Sequence, residues 1–161
     1  MTGSNQPLIE RFYGAFAARD GSGMAACYSA DATFEDPVFP GLKGREVGGM
    51  WRYLTGRSAD LRVELHEHEA DDARGSAHWV ARYTFTQTGR KVLNDVRAEF
   101  RFEGGAIAAH RDAFSFHRWA SQALGPAGLI LGWTPVLRSS VRRQARAGLE
   151  KFLAAEDRRA T

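Results

Sequence analysis

Asp31-Ala32-Thr33-Phe34-Glu35-Asp36-Pro37-Val38 is the stretch of sequence on which the predicted fold rests. Its residues alternate as in a β-strand, so Ala32, Phe34 and Asp36 share one face, and Pro37 ends the strand. Because two of these three residues are apolar, we expect this face to be buried and to carry the Asp36 carboxyl inward. Burial raises the pKa of a carboxyl group, and such groups are frequent at functional sites. The alternative is that Asp36 only starts a turn before proline.

The segments around this strand predict helices that come before the main sheet. Residues 7–19 place apolar side chains at the i, i+3, i+4 and i+7 spacing of an amphipathic helix, which ends at 20–23. A short helix over 24–28 follows. After the strand we expect a turn at 41–44 and a third helix over 45–57.

Four longer segments downstream predict a sheet. They are residues 61–70, 76–87, 91–103 and 106–116, with Gly-containing turns between the last three. Helices followed by a run of strands predict an α+β fold, in which N-terminal helices pack on one face of a curved antiparallel sheet. A helical extension follows at the C-terminus. A curved sheet covered by helices leaves a cone-shaped cavity that suits a ligand.

Three further polar residues fall on inward faces of these strands. Asn94 is the single polar residue on the apolar face of 91–103, and His110 and Asp112 share a face because they lie two residues apart. An imidazole beside a carboxyl suits proton transfer near neutral pH, so Asp36, His110 and Asp112 are the candidate catalytic residues. The alternatives are that backbone groups bind Asn94, that a bulge turns the pair to solvent, or that Asp112 pairs with an arginine. The residues expected to line the cavity and bind substrate are Phe12, Phe16, Trp51, Trp79, Tyr83, Asn94, Phe100 and Phe114.

Composition limits the classes of function. The chain has 161 residues and a net charge of +3, and most of the positive excess lies after residue 137, which argues against a nucleic-acid surface over the whole domain. We expect no membrane span and no signal peptide, because the sequence has no apolar run of about 20 residues and no basic start. Cys27 is the only cysteine, which excludes an internal disulfide and a cysteine zinc site and makes a cytoplasmic location the expectation. The run His66-Glu67-His68-Glu69 indicates a solvated strand end rather than a metal site. The functions considered below imply neither a metal nor an organic cofactor.

Residues 117–161 read as an extension of the domain formed by residues 1–116. Residues 123–133 are apolar and interrupted by Gly and Pro, and a helix from about Pro135 carries an apolar stripe opposite an arginine-rich face. We expect this helix to dock on the body of the protein or on a second copy. Two alternatives stay open: the basic helix contacts a membrane surface, or the apolar segment covers the cavity.

Several of the segments described above resemble one known superfamily. Residues 11–13, 29–38, 88–91 and 100–102, and above all the Asp-Ala-Thr-x-x-Asp-Pro pattern, are similar to the NTF2-like superfamily. Within it, the ketosteroid isomerase and SnoaL-like group is the nearest comparison, over residues 6–116. The resemblance implies a cone of helices against a curved sheet and, often, a homodimer.

The resemblance also implies roles for single residues. In ketosteroid isomerases the aspartate of this pattern is the general base, and it falls on Asp36. The tyrosine and the aspartic acid of the oxyanion hole fall on Phe12 and Ala98, so a dienolate oxygen loses its main stabilisation here unless Asn94, Tyr13 or His110 replaces it.

A second motif points to other members of the group. Arg111-Asp112-Ala113-Phe114 is similar to a strand of SnoaL-like cyclases and of limonene epoxide hydrolase. In that hydrolase the aspartate works with an Arg-x-Asp pair on a neighbouring strand. The nearest match here, Arg82-Tyr83-Thr84, lacks the second acid.

Two functions of different classes are consistent with these patterns. One is a small-molecule enzyme that uses Asp/His acid–base chemistry on a hydrophobic oxygenated substrate, as an isomerase, a cyclase or an epoxide hydrolase. The other is a non-catalytic module that holds a hydrophobic ligand, because one fold serves many functions.

Overall fold

Residues 4–161 are described by a computed structural model, in which six helices and six strands follow one another. The elements are α1 (Gln6–Ala17), α2 (Gly21–Ala25), β1 (Tyr28–Glu35), β2 (Leu42–Lys43), α3 (Arg45–Arg57), β3 (Arg62–Ala70), β4 (Arg74–Phe85), β5 (Arg90–Glu103), β6 (Ala106–Ala113), α4 (Phe116–Leu124), α5 (Pro126–Leu131) and α6 (Pro135–Arg159).

All six strands belong to one sheet, in the order β2-β1-β6-β5-β4-β3. Strands β3 to β6 form the antiparallel meander that the sequence predicts. Strand β1 lies parallel to β6, with Phe34 opposite His110. This pairing sets the end of β1, where Asp36 follows, beside the part of β6 that carries His110 and Asp112.

Several boundaries differ from the prediction, and three of the differences have a local reason. The second helix spans 21–25 rather than 24–28, because the Asp20 side chain accepts a hydrogen bond from Gly23 N–H and starts the helix early. The predicted turn at 41–44 contains β2, since Leu42 pairs with Phe34 at the sheet edge. The last strand ends at Ala113 rather than at 116, because Ser115 caps α4.

A core rich in aromatic side chains fills the space between α1, α3 and the concave face of the sheet. Phe12, Phe34 and Met50 are fully buried there, and Phe12 meets Trp51 edge to face with ring centroids 5.8 Å apart. Burial of each such side chain stabilises the fold by about 2–3 kcal/mol. The core therefore holds α1 and α3 rigidly over one face of the sheet.

The C-terminal helix α6 docks on this body. Its Leu149 is fully buried, and Arg52 of α3 donates two hydrogen bonds of 2.9 Å to Glu156 of α6. Arg142 Nε donates to the backbone oxygen of Pro37, 2.9 Å away, which ties α6 to the turn that carries Asp36. The apolar stripe of α6 thus faces the protein. Among the helices of residues 4–161, none combines the length and the apolar character needed to span a bilayer.

Candidate functional site

A cavity of about 220 Å³ lies between the concave face of the sheet, α3 and the C-terminal helices. One bound water needs about 10–15 Å³ of cavity volume measured in the same way, so this cavity has room for a small organic molecule. Its walls are mostly apolar, and its polar groups include two carboxyl side chains, those of Asp36 and Asp112. This combination is typical of a ligand site.

Asp36 is held by the turn that follows β1. Its Oδ1 accepts hydrogen bonds from the backbone N–H groups of Val38 and Phe39, at 2.7 and 2.6 Å, and its own N–H donates to Phe39 O at 2.9 Å. Asp36 is therefore both a turn residue and an acid on the cavity wall. Its second oxygen, Oδ2, accepts no hydrogen bond from residues 4–161 and is left for a ligand.

The surroundings of Asp36 make its carboxyl an acid–base group suited to neutral pH. Burial raises the pKa of Asp36 from 3.8 to about 7, and the negative charge of Asp112 acts in the same direction. The two backbone N–H donors and the guanidinium of Arg142 oppose this rise without cancelling it. At pH 7 Asp36 is therefore present in comparable amounts as acid and as base.

Asp112 is the end of a buried hydrogen-bonded chain. Its Oδ1 lies 2.8 Å from His110 Nε2, and His110 Nδ1 lies 2.7 Å from the hydroxyl of Tyr28. Trp51 Nε1 donates to the same hydroxyl at 2.8 Å. Trp79 Nε1 also points at Asp112 Oδ1, at a longer 3.5 Å. Of these five residues, His110 and Asp112 are almost fully buried polar groups.

Donor and acceptor chemistry fixes the direction of this chain. The indole N–H of Trp51 can only donate, so Tyr28 accepts that bond and points its own hydrogen at His110 Nδ1. His110 accepts this hydrogen at Nδ1 and donates from Nε2 to Asp112. Both ring nitrogens of His110 and the hydroxyl of Tyr28 have partners, so the chain fixes the orientation of the Asp112 carboxylate.

Tyr83 adds a hydrogen-bond donor to the cavity. Its hydroxyl accepts from Trp119 Nε1 at 2.8 Å, which leaves its own hydrogen for a ligand. Burial, together with the negative charge of Asp36, raises the pKa of Tyr83, so the hydroxyl stays protonated as a donor. Asp36 and Tyr83 thus offer a proton acceptor and a proton donor to one bound molecule.

The structure brings most of the predicted site residues to this cavity and leaves three behind its wall. Those that line it are Phe16, Asp36, Trp51, Trp79, Tyr83, Asn94, Asp112 and Phe114. Phe12, Phe100 and His110 do not. Phe12 and Phe100 both pack against the His110 ring, with centroids 5.6 and 4.4 Å away, so the first layer of side chains shields all three from the cavity. Phe12 and Phe100, which we expected on the cavity wall, therefore lie behind it, and His110 is connected to the cavity through Asp112.

Sequence reasoning missed several residues of the site. Tyr28 completes the chain behind Asp112, and its place on the same strand as Ala32 and Phe34 was the signal that it faces inward. Tyr13, by contrast, was named from the sequence as a possible replacement in the oxyanion hole. It is buried nearby, and its hydroxyl has no hydrogen-bond partner among residues 4–161. Burial and the charge of Asp112 hold the pKa of Tyr13 well above its ordinary value. The extension contributes a full wall of the cavity, formed by Trp119, Leu124, Val141, Gln144 and Ala145.

The histidine-rich end of β3 lies away from this cavity. A register shift between Leu65 and His68 turns His68 toward α1, where its Nε2 lies 2.9 Å from Glu10, while His66 stacks on His78. The two histidines therefore contact different parts of the protein. Within residues 4–161, no three His, Cys, Asp or Glu side chains are arranged to hold a metal ion.

Comparison with known proteins agrees with the fold that carries this site. Residues 9–110 match the sequence profile of the SnoaL-like domain. A hypothetical protein from Catenulispora acidiphila, solved with trimethylamine and described as having a ketosteroid isomerase-like fold, is similar with a TM-score of 0.66 and 18% identity. The match covers 81% of this chain and 98% of that one.

Two further solved structures are similar over much of the chain. An LEH-like epoxide hydrolase from M. tuberculosis has a TM-score of 0.63 and 23% identity, over 79% of this chain and 92% of its own. A candidate polyketide cyclase from Xanthomonas campestris has a TM-score of 0.62 and 22% identity, over 73% and 95%. Likeness at these identities shows the fold alone, and the predicted α+β, NTF2-like fold is confirmed.

Proposed function

The chain belongs to the SnoaL-like domain family, and we propose that it is an enzyme that moves protons on a small hydrophobic, oxygenated substrate. The reaction class we favour is isomerisation or aldol-type cyclisation next to a carbonyl group. Both begin when a base removes a proton from the carbon beside the carbonyl. The similar structures named as an epoxide hydrolase and as a candidate cyclase support an enzymatic role in general terms.

One observation carries this proposal: two carboxyl groups in different environments face the same apolar cavity. Asp36 has a pKa of about 7 and is held by backbone N–H groups, whereas Asp112 is held by the side chains of His110 and Trp79. Two carboxyl groups in different environments can take separate acid and base roles. A cavity that only binds an apolar ligand has no need of two buried acids, which are costly to fold.

In the proposed reaction, Asp36 Oδ2 removes the proton from the carbon beside the carbonyl. Tyr83 donates its free hydroxyl hydrogen to the carbonyl oxygen as negative charge develops there. Asp36 then returns the proton to another carbon, or Asp112 takes part in the second transfer with His110 and Tyr28 behind it. Tyr83 supplies the kind of donor that the resemblance to ketosteroid isomerases leaves missing at Phe12 and Ala98.

Hydrolysis of an epoxide by an Asp-Arg-Asp set is less well supported. Arg82, the arginine that the resemblance indicated, is exposed and lies 3.4 Å from Glu64 on the outer face of the sheet. It does not line the cavity.

Deuterium exchange into a simple ketone tests the proposed first step. We expect the protein to accelerate exchange of the protons beside the carbonyl of 1-tetralone in D₂O, followed by proton NMR. Asp36→Asn should lower this acceleration by about 10²–10⁴-fold, since a positioned general base contributes that much. Tyr83→Phe should also lower it, because the donor to the carbonyl oxygen is lost.

Asp31→Asn is the matched control, because Asp31 is an exposed acid on the same strand. Its exchange rate should equal that of the wild type. If ligand-observed NMR shows the ketone in the cavity while exchange stays at the rate of buffer, the chain is a binding module and the proposed enzyme function is wrong.

A further inference from the structure

One short region holds every large hydrophobic side chain that is exposed within residues 4–161. These are Leu129, Ile130 and Leu131 of α5, Trp133 in the following turn, and Val136 of α6. Ile130, Trp133 and Val136 are 71, 75 and 78% exposed. Single exposed apolar residues are common, but a contiguous group of this kind marks an interaction surface. We call these five residues the α5 patch.

The α5 patch is held in place by the protein rather than carried on a loose segment. The backbone of α5 touches that of α4 so closely that a side chain at Gly128 would lie 1.9 Å from Ala120 O. His117 Nε2 donates to Leu129 O at 3.0 Å, and the His117 ring stacks on Trp133 with centroids 3.7 Å apart. Close packing on α4 therefore turns the opposite side of α5, with its leucines and isoleucine, toward solvent.

The surroundings of the α5 patch are positively charged. Between Ala113 and Leu149 the sequence has five arginines and no aspartate or glutamate. Arg118, Arg138 and Arg143 are exposed and make no ion pair with residues 4–161. Arg143 lies two helical turns after Val136, so both project from the same face of α6. An apolar patch with tryptophan and branched aliphatic residues, bordered by arginine, matches the boundary of an anionic lipid bilayer.

We propose that the α5 patch docks this protein on a membrane surface that contains anionic phospholipids. The five apolar side chains enter the region between headgroups and acyl chains, and the arginines contact the phosphates. A second copy of the chain is disfavoured as the occupant, because face-to-face pairing would bring the arginines of both copies together. Helices α4 and α6, on either side of α5, each form part of the cavity wall, so docking would bring the cavity near a hydrophobic substrate dissolved in the bilayer.

Cosedimentation with vesicles tests this proposal. We expect binding to vesicles of phosphatidylcholine with about one third phosphatidylglycerol, and little binding to phosphatidylcholine alone. Salt at about 0.5 M should weaken the binding. Trp51, Trp79 and Trp119 are buried, so a blue shift of tryptophan fluorescence on binding should come from Trp133 and disappear in Trp133→Ser.

Three variants separate the apolar and the charged contributions. Ile130→Ser should weaken vesicle binding by at least about tenfold, because one large side chain no longer enters the bilayer. Arg143→Glu should weaken it by at least about fivefold. Arg62→Glu is the matched control, since Arg62 is exposed on β3, away from the patch, and should leave binding unchanged.

Three results would overturn the proposal. The first is no cosedimentation with anionic vesicles at physiological ionic strength. The second is equal binding to both kinds of vesicle. The third is self-association that Ile130→Ser abolishes in analytical ultracentrifugation, which would assign the patch to a protein interface. Vesicle binding requires neither a substrate nor Asp36, so its outcome is separate from that of the exchange assay.

Discussion

Replacing Asp36 by asparagine removes an ionisable group from the cavity while keeping the turn that holds it. The asparagine oxygen can accept the same two hydrogen bonds from Val38 and Phe39. The pKa of Asp36 is about 7 in the folded protein, against an ordinary value of 3.8, and at about 1.4 kcal/mol per pKa unit this difference corresponds to about 4 kcal/mol. Asp36 is only half-buried by surface area and faces a cavity. We therefore expect the free energies of unfolding of Asp36→Asn and wild type to differ by about 2–4 kcal/mol above pH 7.

The sign of the effect follows from proton binding. Between pH 3.8 and 7 the folded protein keeps the proton on Asp36 while the unfolded chain releases it. The contribution of Asp36 to stability is therefore fully present below pH 3.8 and is lost as the pH rises to about 7. Asp36→Asn does not titrate, so its free energy of unfolding should exceed that of the wild type increasingly over this range and by a constant amount above it.

Urea denaturation followed by tryptophan fluorescence, at a series of pH values from 4 to 8.5, measures this difference. Asp31→Asn provides the baseline for removing an exposed carboxyl from the same strand. The reasoning would be refuted if the free energies of unfolding of Asp36→Asn and wild type differed by the same amount at every pH. The Asp36 carboxyl would then have the same pKa in the folded and the unfolded protein.

Three further changes test other parts of the site and of the fold. Tyr28→Phe leaves Trp51 Nε1 and His110 Nδ1 without partners in the core, so the free energy of unfolding measured with urea should fall by about 2–4 kcal/mol. Tyr53→Phe is the control, because it removes a half-buried hydroxyl and should change this free energy little. Arg142→Met removes a positive charge that lowers the pKa of Asp36, so this pKa should rise above about 7. A carbon-13 NMR titration measures the pKa directly. An unchanged value would show that the two groups do not interact. Gly128→Ala should destabilise the protein by about 1–3 kcal/mol, because the new methyl group meets the backbone of Ala120. Gly56→Ala in the open last turn of α3 should instead stabilise it by about 0.5–1 kcal/mol, and equal effects of the two substitutions would contradict the packing of α5 on α4.

Where the sequence pattern lies within a single helix or strand, it predicted that helix or strand well. The helix over 45–57 has the predicted bounds, and the alternation in 91–103 gives a strand whose inward residues include Val96 and Phe100. Features that depend on distant partners were not predicted. Strand β2 has only two residues and exists because Leu42 pairs with Phe34, and no local pattern reveals that β1 lies parallel to β6.

The same distinction applies to the candidate site. Strand alternation was enough to point Asp36 and Asp112 to the concave side of the sheet, where both line the cavity. The periodicity of a helix or a strand gives the face on which a residue lies but not its depth. For this reason Phe12 of α1 and Phe100 of β5 were expected on the cavity wall and lie behind it. Trp119 and Val141 reach the cavity only through the packing of α4 and α6, for which the sequence of the extension carries no specific signal.

The wall that the extension contributes has a consequence for how this protein acquires its specificity. The carboxyl groups stand on β6 and just after β1, whereas one side of the cavity is formed by side chains after residue 116. Part of the cavity wall therefore belongs to a stretch of the chain separate from the one that carries the two carboxyl groups. A relative could keep both acids, exchange its tail and admit a molecule of a different length. Grafting tails between such relatives is accordingly a direct way to redesign what the cavity selects.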